Sequence, residues 1–227
     1  MNEAENLNVG HRARLRERFL LSDSATVTDA EVLELLLFLV QPRKDVKPIA
    51  KRLLKFRKTF AAVMGCDLDL LRSIKGVGDS SIAMFKVIHE SVCRVLRHDL
   101  TSRSLLNNID SVVAYCRSRM GYLSREQTRV LFLNQKNYLI TDEVQHEGTI
   151  DHTSMYPREL MRRCLQLGAG AMILVHNHPS GDSSPSSADV EVTKHIFELS
   201  KMMNIALHDH IIITSRSFFS FRQNNLF

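Results

Sequence analysis

The sequence predicts a mixed α/β protein in two parts: an all-helical part over residues 1–100 and a part over 109–227 with a central mixed sheet flanked by helices. A polar stretch over 101–108 is expected to link them. Three observations carry this. Up to residue 100 the apolar residues recur at helical spacing. From Thr128 onward, short strand-like runs alternate with helical stretches. The apolar run 171–175 then ends abruptly at His176-Asn177-His178-Pro179, before a turn-rich segment and another helical pattern.

Bulk properties narrow the function classes. A hydrophobic fraction of 44% in 227 residues suffices for a core. The net charge of +5 suits a nucleic-acid partner without demanding one. The four cysteines, Cys66, Cys93, Cys116 and Cys164, are scattered without a C-x-x-C pair, which argues against a disulfide framework and for a reducing compartment. The polar start (Asn2, Glu3, Glu5, Asn6) has no signal-peptide apolar region, and the apolar stretch 32–40 contains Glu34 and is too short to span a bilayer. The expectation is a soluble cytoplasmic protein with no membrane partner.

In the first half, 10–19 is a basic stretch with Leu15 and Phe19 four apart. It reads as a solvated amphipathic helix or, alternatively, as a phosphate-contacting one. Thr28 or Asp29 caps a helix with Glu31 in its first turn, and its nearly all-apolar body makes it the buried centre of this half. Pro42 ends it. Residues 46–56 form a second helix, with Val46, Ile49, Ala50, Leu53 and Leu54 inward and a lysine- and arginine-rich face outward. A helical piece over 68–71 leads to Ile74-Lys75-Gly76-Val77-Gly78 and a further helical run. This G-x-G turn resembles a helix-hairpin-helix motif. The resemblance implies that backbone N–H groups around Lys75, Gly76 and Gly78 approach a phosphate without reading sequence. The alternative is a tight turn used only for packing.

In the second half, 109–120 is a helix closed by Gly121. Strands are expected over 129–134, 138–141 and 143–150, with a turn at 135–137. Pro157 opens a helix to Leu167 that Gly168 ends. The strand 171–175 follows, then a helix to about Met203, a long strand over 205–214, and a short closing one near Phe218, Phe219 and Phe221.

The chemistry concentrates at 176–189. Side chains two apart on an extended chain share a face, so His176 and His178 present both imidazoles to one point. Pro179 stops the strand. Asp189, in the first turn of the next helix, offers a carboxylate to the same point. Two imidazoles and one carboxylate suit Zn2+ with one coordination place left open. The plainer alternative is that Ser186 and Asp189, at capping-box spacing, only start a helix.

The frame His176-x-His178-Pro179, six residues, Ser186, two residues, Asp189 resembles the JAMM motif of JAB/MPN-domain metalloproteases. The string His-Asn-His-Pro-Ser-Gly-Asp resembles their RadC-like branch, named for DNA repair. The HNH spelling is not the nuclease motif of that name. The resemblance implies an MPN-like fold for 109–227 and one zinc per chain on His176, His178 and Asp189. It further implies Glu126 as proton-shuttling base, although Arg129 stands where glycine is usual, and Ser186 as hydrogen-bond donor to an oxyanion. Glu143, Glu147 and Glu159 are rivals to Glu126. Asp209 or His210 is expected to orient a ligand; Asp151, His152 and His146 are expected at the surface or in turns, and no role is assigned to His11, His89, His98 or His195. The implied function is a zinc-dependent metallopeptidase or isopeptidase acting on a protein or peptide. The alternative is a DNA-associated repair or recombination accessory protein whose metal site is not peptidolytic.

Overall fold

The computed structural model describes residues 10–21, 26–102, 104–105, 108–148 and 156–227. The chain divides into two compact units, Met1–Glu90 and Ser91–Phe227.

The first unit is helical, as the spacing predicted. Its core gathers on α2 (Asp29–Val40), where Thr28 and Glu31 close a capping box and Leu33, Leu37 and Phe38 are buried. Buried Glu34 receives His11 Nε2 at 2.7 Å, so His11, given no role from sequence, partners the one carboxylate inside this helix's buried face. On α1 (His11–Leu21) Leu15 is buried but Phe19 is 39% exposed, and Arg12 lies over the Phe38 ring while donating to the Gln41 and Lys44 carbonyls. α3 (Lys47–Arg57) buries Ile49, Ala50 and Leu53 and leaves Lys51 and Lys55 exposed. A short α4 (Phe60–Met64), capped by Thr59, was not anticipated.

After α5 (Leu68–Arg72) comes the glycine turn. Gly76 has φ +95°, and a Cβ there would stand 3.0 Å from Ile49 Cγ1. Its carbonyl accepts from Gln41 Nε2, and that of Lys75 accepts from Arg52 Nε. Gly78 meets nothing within 4 Å on its Cβ side, and its carbonyl opens α6 (Asp79–Ser102) by accepting from Ser81 and Ile82. Thus Gly76 is required by packing and Gly78 is not, while the Lys75 side chain stays exposed.

Within the second unit, α6 runs to Ser102 and Leu105 is buried, with its N–H on the Asn137 carbonyl. The ends of the stretch 101–108 therefore belong to ordered structure of this unit. The sheet order is β2-β1-β3-β4-β5, from β1 (Glu126–Leu133), β2 (Leu139–Gly148), β3 (Ala171–Asn177), β4 (Ala206–Ile213) and β5 (Phe218–Ser220). Only β3 and β4 run parallel; the other neighbours are antiparallel. One face packs on α7 (Ile109–Met120) through Leu131, Leu133, Ile173, Val175 and Ile211. The other, with Val130, Phe132, Met172 and Leu174, packs on α8 (Pro157–Leu167) and α9 (Ser187–Met202).

The two strands expected over 138–141 and 143–150 are one continuous strand, β2, whose pairing with β1 shifts register twice. Those irregularities interrupt the regular alternation of cross-strand partners along β2. Residues 149–150, Asp151 and His152 lie outside the described residues.

Replacing Gly76 with Ala is expected to lower the stability of the helical unit by about 1–2 kcal/mol through the left-handed conformation and the Ile49 contact. Gly78→Ala should cost less, within about 1 kcal/mol. Urea midpoints of the two variants should separate them in that order.

Candidate metal centre

The centre is built where β3 ends and α9 begins. β3 is fully buried, and alternation puts His176 on the α9 side of the sheet with Met172 and Leu174. Pro179 follows, and the turn brings the chain back so that Ser186 caps α9. His176 Nε2 and His178 Nε2 lie 2.9 Å apart, and Asp189 oxygens stand 3.3 Å from the first and 3.7 Å from the second. Donors around a tetrahedral ion at 2.0–2.1 Å are separated by about 3.3 Å, the scale found here.

Hydrogen bonds behind the rings fix which nitrogens carry protons. Thr193 Oγ1 donates to the Asp189 carbonyl, so it accepts from His210 Nδ1. His210 Nε2 is then an acceptor, and His176 Nδ1, 2.8 Å away, must donate to it. Burial pushes the pKa of both His176 and His210 down, so both rings are neutral and His176 Nε2 carries a lone pair. His178 Nδ1 donates to the Asp182 carbonyl at 2.8 Å, which in the neutral ring leaves its Nε2 lone pair facing that of His176. The carboxylate is divided in the same way. Asp189 Oδ2 accepts from Ser186 N and Oγ, while Oδ1 faces His176. Two lone pairs and a carboxylate oxygen therefore converge, which fits a divalent cation. His176 is 2% exposed, whereas the side chains of His178 and Asp189 are each 14% exposed, so the open side of the triad faces solvent.

Of the two candidates for orienting a ligand, His210 is the one hydrogen-bonded to His176, and Phe221 stacks on its ring at 4.6 Å. Asp209 points to the other face of the sheet and accepts from Ser220, Arg222 and the His210 amide. The sequence reading missed Thr193 and Phe221. Thr193 had a signal, being one helical turn after Asp189; Phe221 had none, because its partner is set by strand pairing.

The remaining predicted residues fall as follows. The β1–β3 register pairs Thr128 with His176, and alternation along β1 puts Glu126 on the same face as Thr128 and so on the histidine side of the sheet. Glu147 pairs with Gln127 and so lies on the other face. Glu143 is held by Arg163, whose hydrogen bonds lower its pKa, and Glu159 is held by Arg162. Ser186 touches the triad through Asp189. Lys75, Gly76 and Gly78 belong to the first unit. His146 pairs with Thr128 and is half-buried. Among the described residues, this triad alone groups three metal-ligating side chains, and no helix is long and apolar enough to cross a membrane.

Residues 106–226 match the family model described as RadC-like JAB domain. The chain is also similar to a UPF0758 protein of Ruegeria pomeroyi, at 43% identity over 212 residues that cover 93% of this chain and 95% of that protein.

Thr193→Val, which keeps the volume but breaks the chain of hydrogen bonds behind His176, should weaken the affinity for a divalent transition-metal ion by roughly 10-fold or more. Asp209→Asn should leave it within about twofold. Competition titrations with a chromophoric chelator measure both.

Proposed function

The chain belongs to the RadC-like JAB domain family, and from that premise we propose that it is a zinc-dependent hydrolase of amide-like bonds, a metallopeptidase or isopeptidase with a protein or peptide substrate. The observation that carries this reading is the converging triad, with its ligand tautomers set by Asp182, His210 and Thr193. One zinc per chain, on His176 Nε2, His178 Nε2 and Asp189 Oδ1, fits the donor set. When bound, zinc supplies Lewis acidity, polarising a carbonyl and lowering the pKa of water to about 7.

The chain's own groups do the rest. Glu126, on the histidine side of β1, takes up a proton as the nucleophile attacks and returns it to the leaving amine. Ser186 holds Asp189 Oδ2 by two hydrogen bonds, leaving Oδ1 for the metal. Donation from the same hydroxyl to a developing oxyanion requires it to leave Asp189, so steering the carboxylate is the role this geometry favours and the oxyanion contact is secondary. His210 and Thr193 keep the His176 lone pair aimed outward.

A second reading draws on the exposed Lys51, Lys55 and Lys75 side chains of the helical unit. It is a DNA-associated repair or recombination accessory protein whose metal site is not peptidolytic. These cations suit sequence-independent phosphate contact.

His176→Ala combined with His178→Ala should abolish the zinc of purified protein, read by atomic absorption. Glu126→Gln should retain about one zinc but lower peptide-library cleavage by roughly 10²- to 10⁴-fold; undiminished cleavage points to another base, and no cleavage by wild type favours the second reading. If the helical unit meets DNA, the full chain should bind a short duplex with affinity that falls steeply between about 50 and 200 mM salt, and Lys75→Glu should weaken it. A mobility-shift titration at several salt concentrations decides this.

A further inference from the structure

At its end, β3 serves two neighbours by different means. Its ladder with β1 runs from Leu133↔Ala171 to Thr128↔His176 and stops there. Its ladder with β4 continues to Asn177↔Ile213, and the His178 N–H still donates to the Ile213 carbonyl at 3.0 Å. Beyond His176 the β3 backbone therefore stays with β4. The next connection toward β1 is made by a side chain instead. Gln127 N donates to Asn177 Oδ1 at 2.7 Å, and Asn177 Nδ2 donates to the Arg125 carbonyl at 3.0 Å. A carboxamide offers one acceptor and two donors, and only this orientation sets its oxygen on an N–H and its nitrogen on a carbonyl. Asn177 is 1% exposed, and its bond to Gln127 N is buried away from water.

The two backbone groups it holds belong to the peptide units on either side of Glu126. We propose that Asn177 is the positioning residue for Glu126. Its carboxamide clamps both flanking peptides, fixes φ and ψ of Glu126, and thereby holds that carboxylate on the histidine side of the sheet. The same substitution of side chain for backbone leaves His176 and His178 free to turn toward Asp189 while β1 stays in register. This rests on Glu126 acting as the base, which the proposed function supposes.

The test uses the full zinc-loaded chain and three readouts: zinc content, the exchange rate of the Gln127 amide, and hydrolysis kinetics. Asn177→Ala should keep about one zinc per chain and speed Gln127 exchange about tenfold. It should also lower kcat by roughly 10- to 100-fold with KM within about twofold. Combined with Glu126→Gln it should cause no further loss, because it acts through Glu126. Asn177→Asp keeps the acceptor for Gln127 but sets a carboxylate oxygen against the Arg125 carbonyl, so Gln127 exchange should stay slow while kcat still falls. A Gln127 amide that exchanges as fast in wild type as in Asn177→Ala overturns the clamp, whatever the kinetics. Losses that multiply in the double variant overturn its action through Glu126. Wild-type turnover in Glu126→Gln instead refutes the base assignment, and the exchange rate then decides the clamp alone.

Discussion

Two neutral imidazoles whose Nε2 lone pairs meet at 2.9 Å repel unless a proton or a metal ion lies between them. Relief by rotating a ring would break the His176–His210 or His178–Asp182 hydrogen bond, and relief by protonating His176 would place a charge on a ring only 2% exposed. The scaffold thus gathers a preference for positive charge at one point, which a divalent cation held by the two rings and Asp189 would meet. The chain from Thr193 through His210 to His176 is what holds the buried ring in place. It ties a histidine on β4 and a threonine on α9 to a triad whose members lie at the end of β3 and at the start of α9.

The capping box and the triad carboxylate, which compete as readings of the sequence, are compatible in the fold because a carboxylate has two oxygens. Ser186 and Asp189 satisfy the start of α9 in the ordinary way, and the helix N-terminus favours the negative charge there. The cap uses Oδ2, so Oδ1 keeps its lone pairs for the centre. Starting the helix and orienting the ligand are one geometric event, and the side-chain entropy of Asp189 is lost once for both.

The convergence of His176, His178 and Asp189 was legible because each of its signals is local: two-residue alternation for the histidines, Pro179 as a stop, helical capping for Asp189. The helices were legible for the same reason, down to Gly168 closing α8 with φ +62°. What escaped was set by pairing between distant segments. β2 was split in two because its irregular register with β1 hides the alternation. His210 could not be told from Asp209, since either face of β4 is plausible until β3 is laid beside it in parallel. Asn177 was read only as the residue between two ligands, because its partners, Arg125 and Gln127, are some fifty residues away in sequence.

That dependence on pairing makes the register of β1 the critical quantity for Glu126, since a slip of one residue would turn it to the other face. The register is secured on the face opposite the triad. Asp142, on β2, accepts from Arg97, from Tyr115 and from Arg129 of β1. Burial alone would raise its pKa, yet the hydrogen bonds of Arg97, Tyr115 and Arg129 hold it below the usual carboxylate value, while burial and the neighbouring Asp142 push the Tyr115 hydroxyl up to about 12 and keep it a neutral donor. Any slip of β1 would pull Arg129 away from a carboxylate whose side chain is 6% exposed, leaving a buried charge short of a partner. Arg129 occupies the position where the resembled motif usually has glycine. The departure therefore has a use of its own: the bulky cation locks β1 from behind, and three residues earlier the same strand places Glu126 on the triad side.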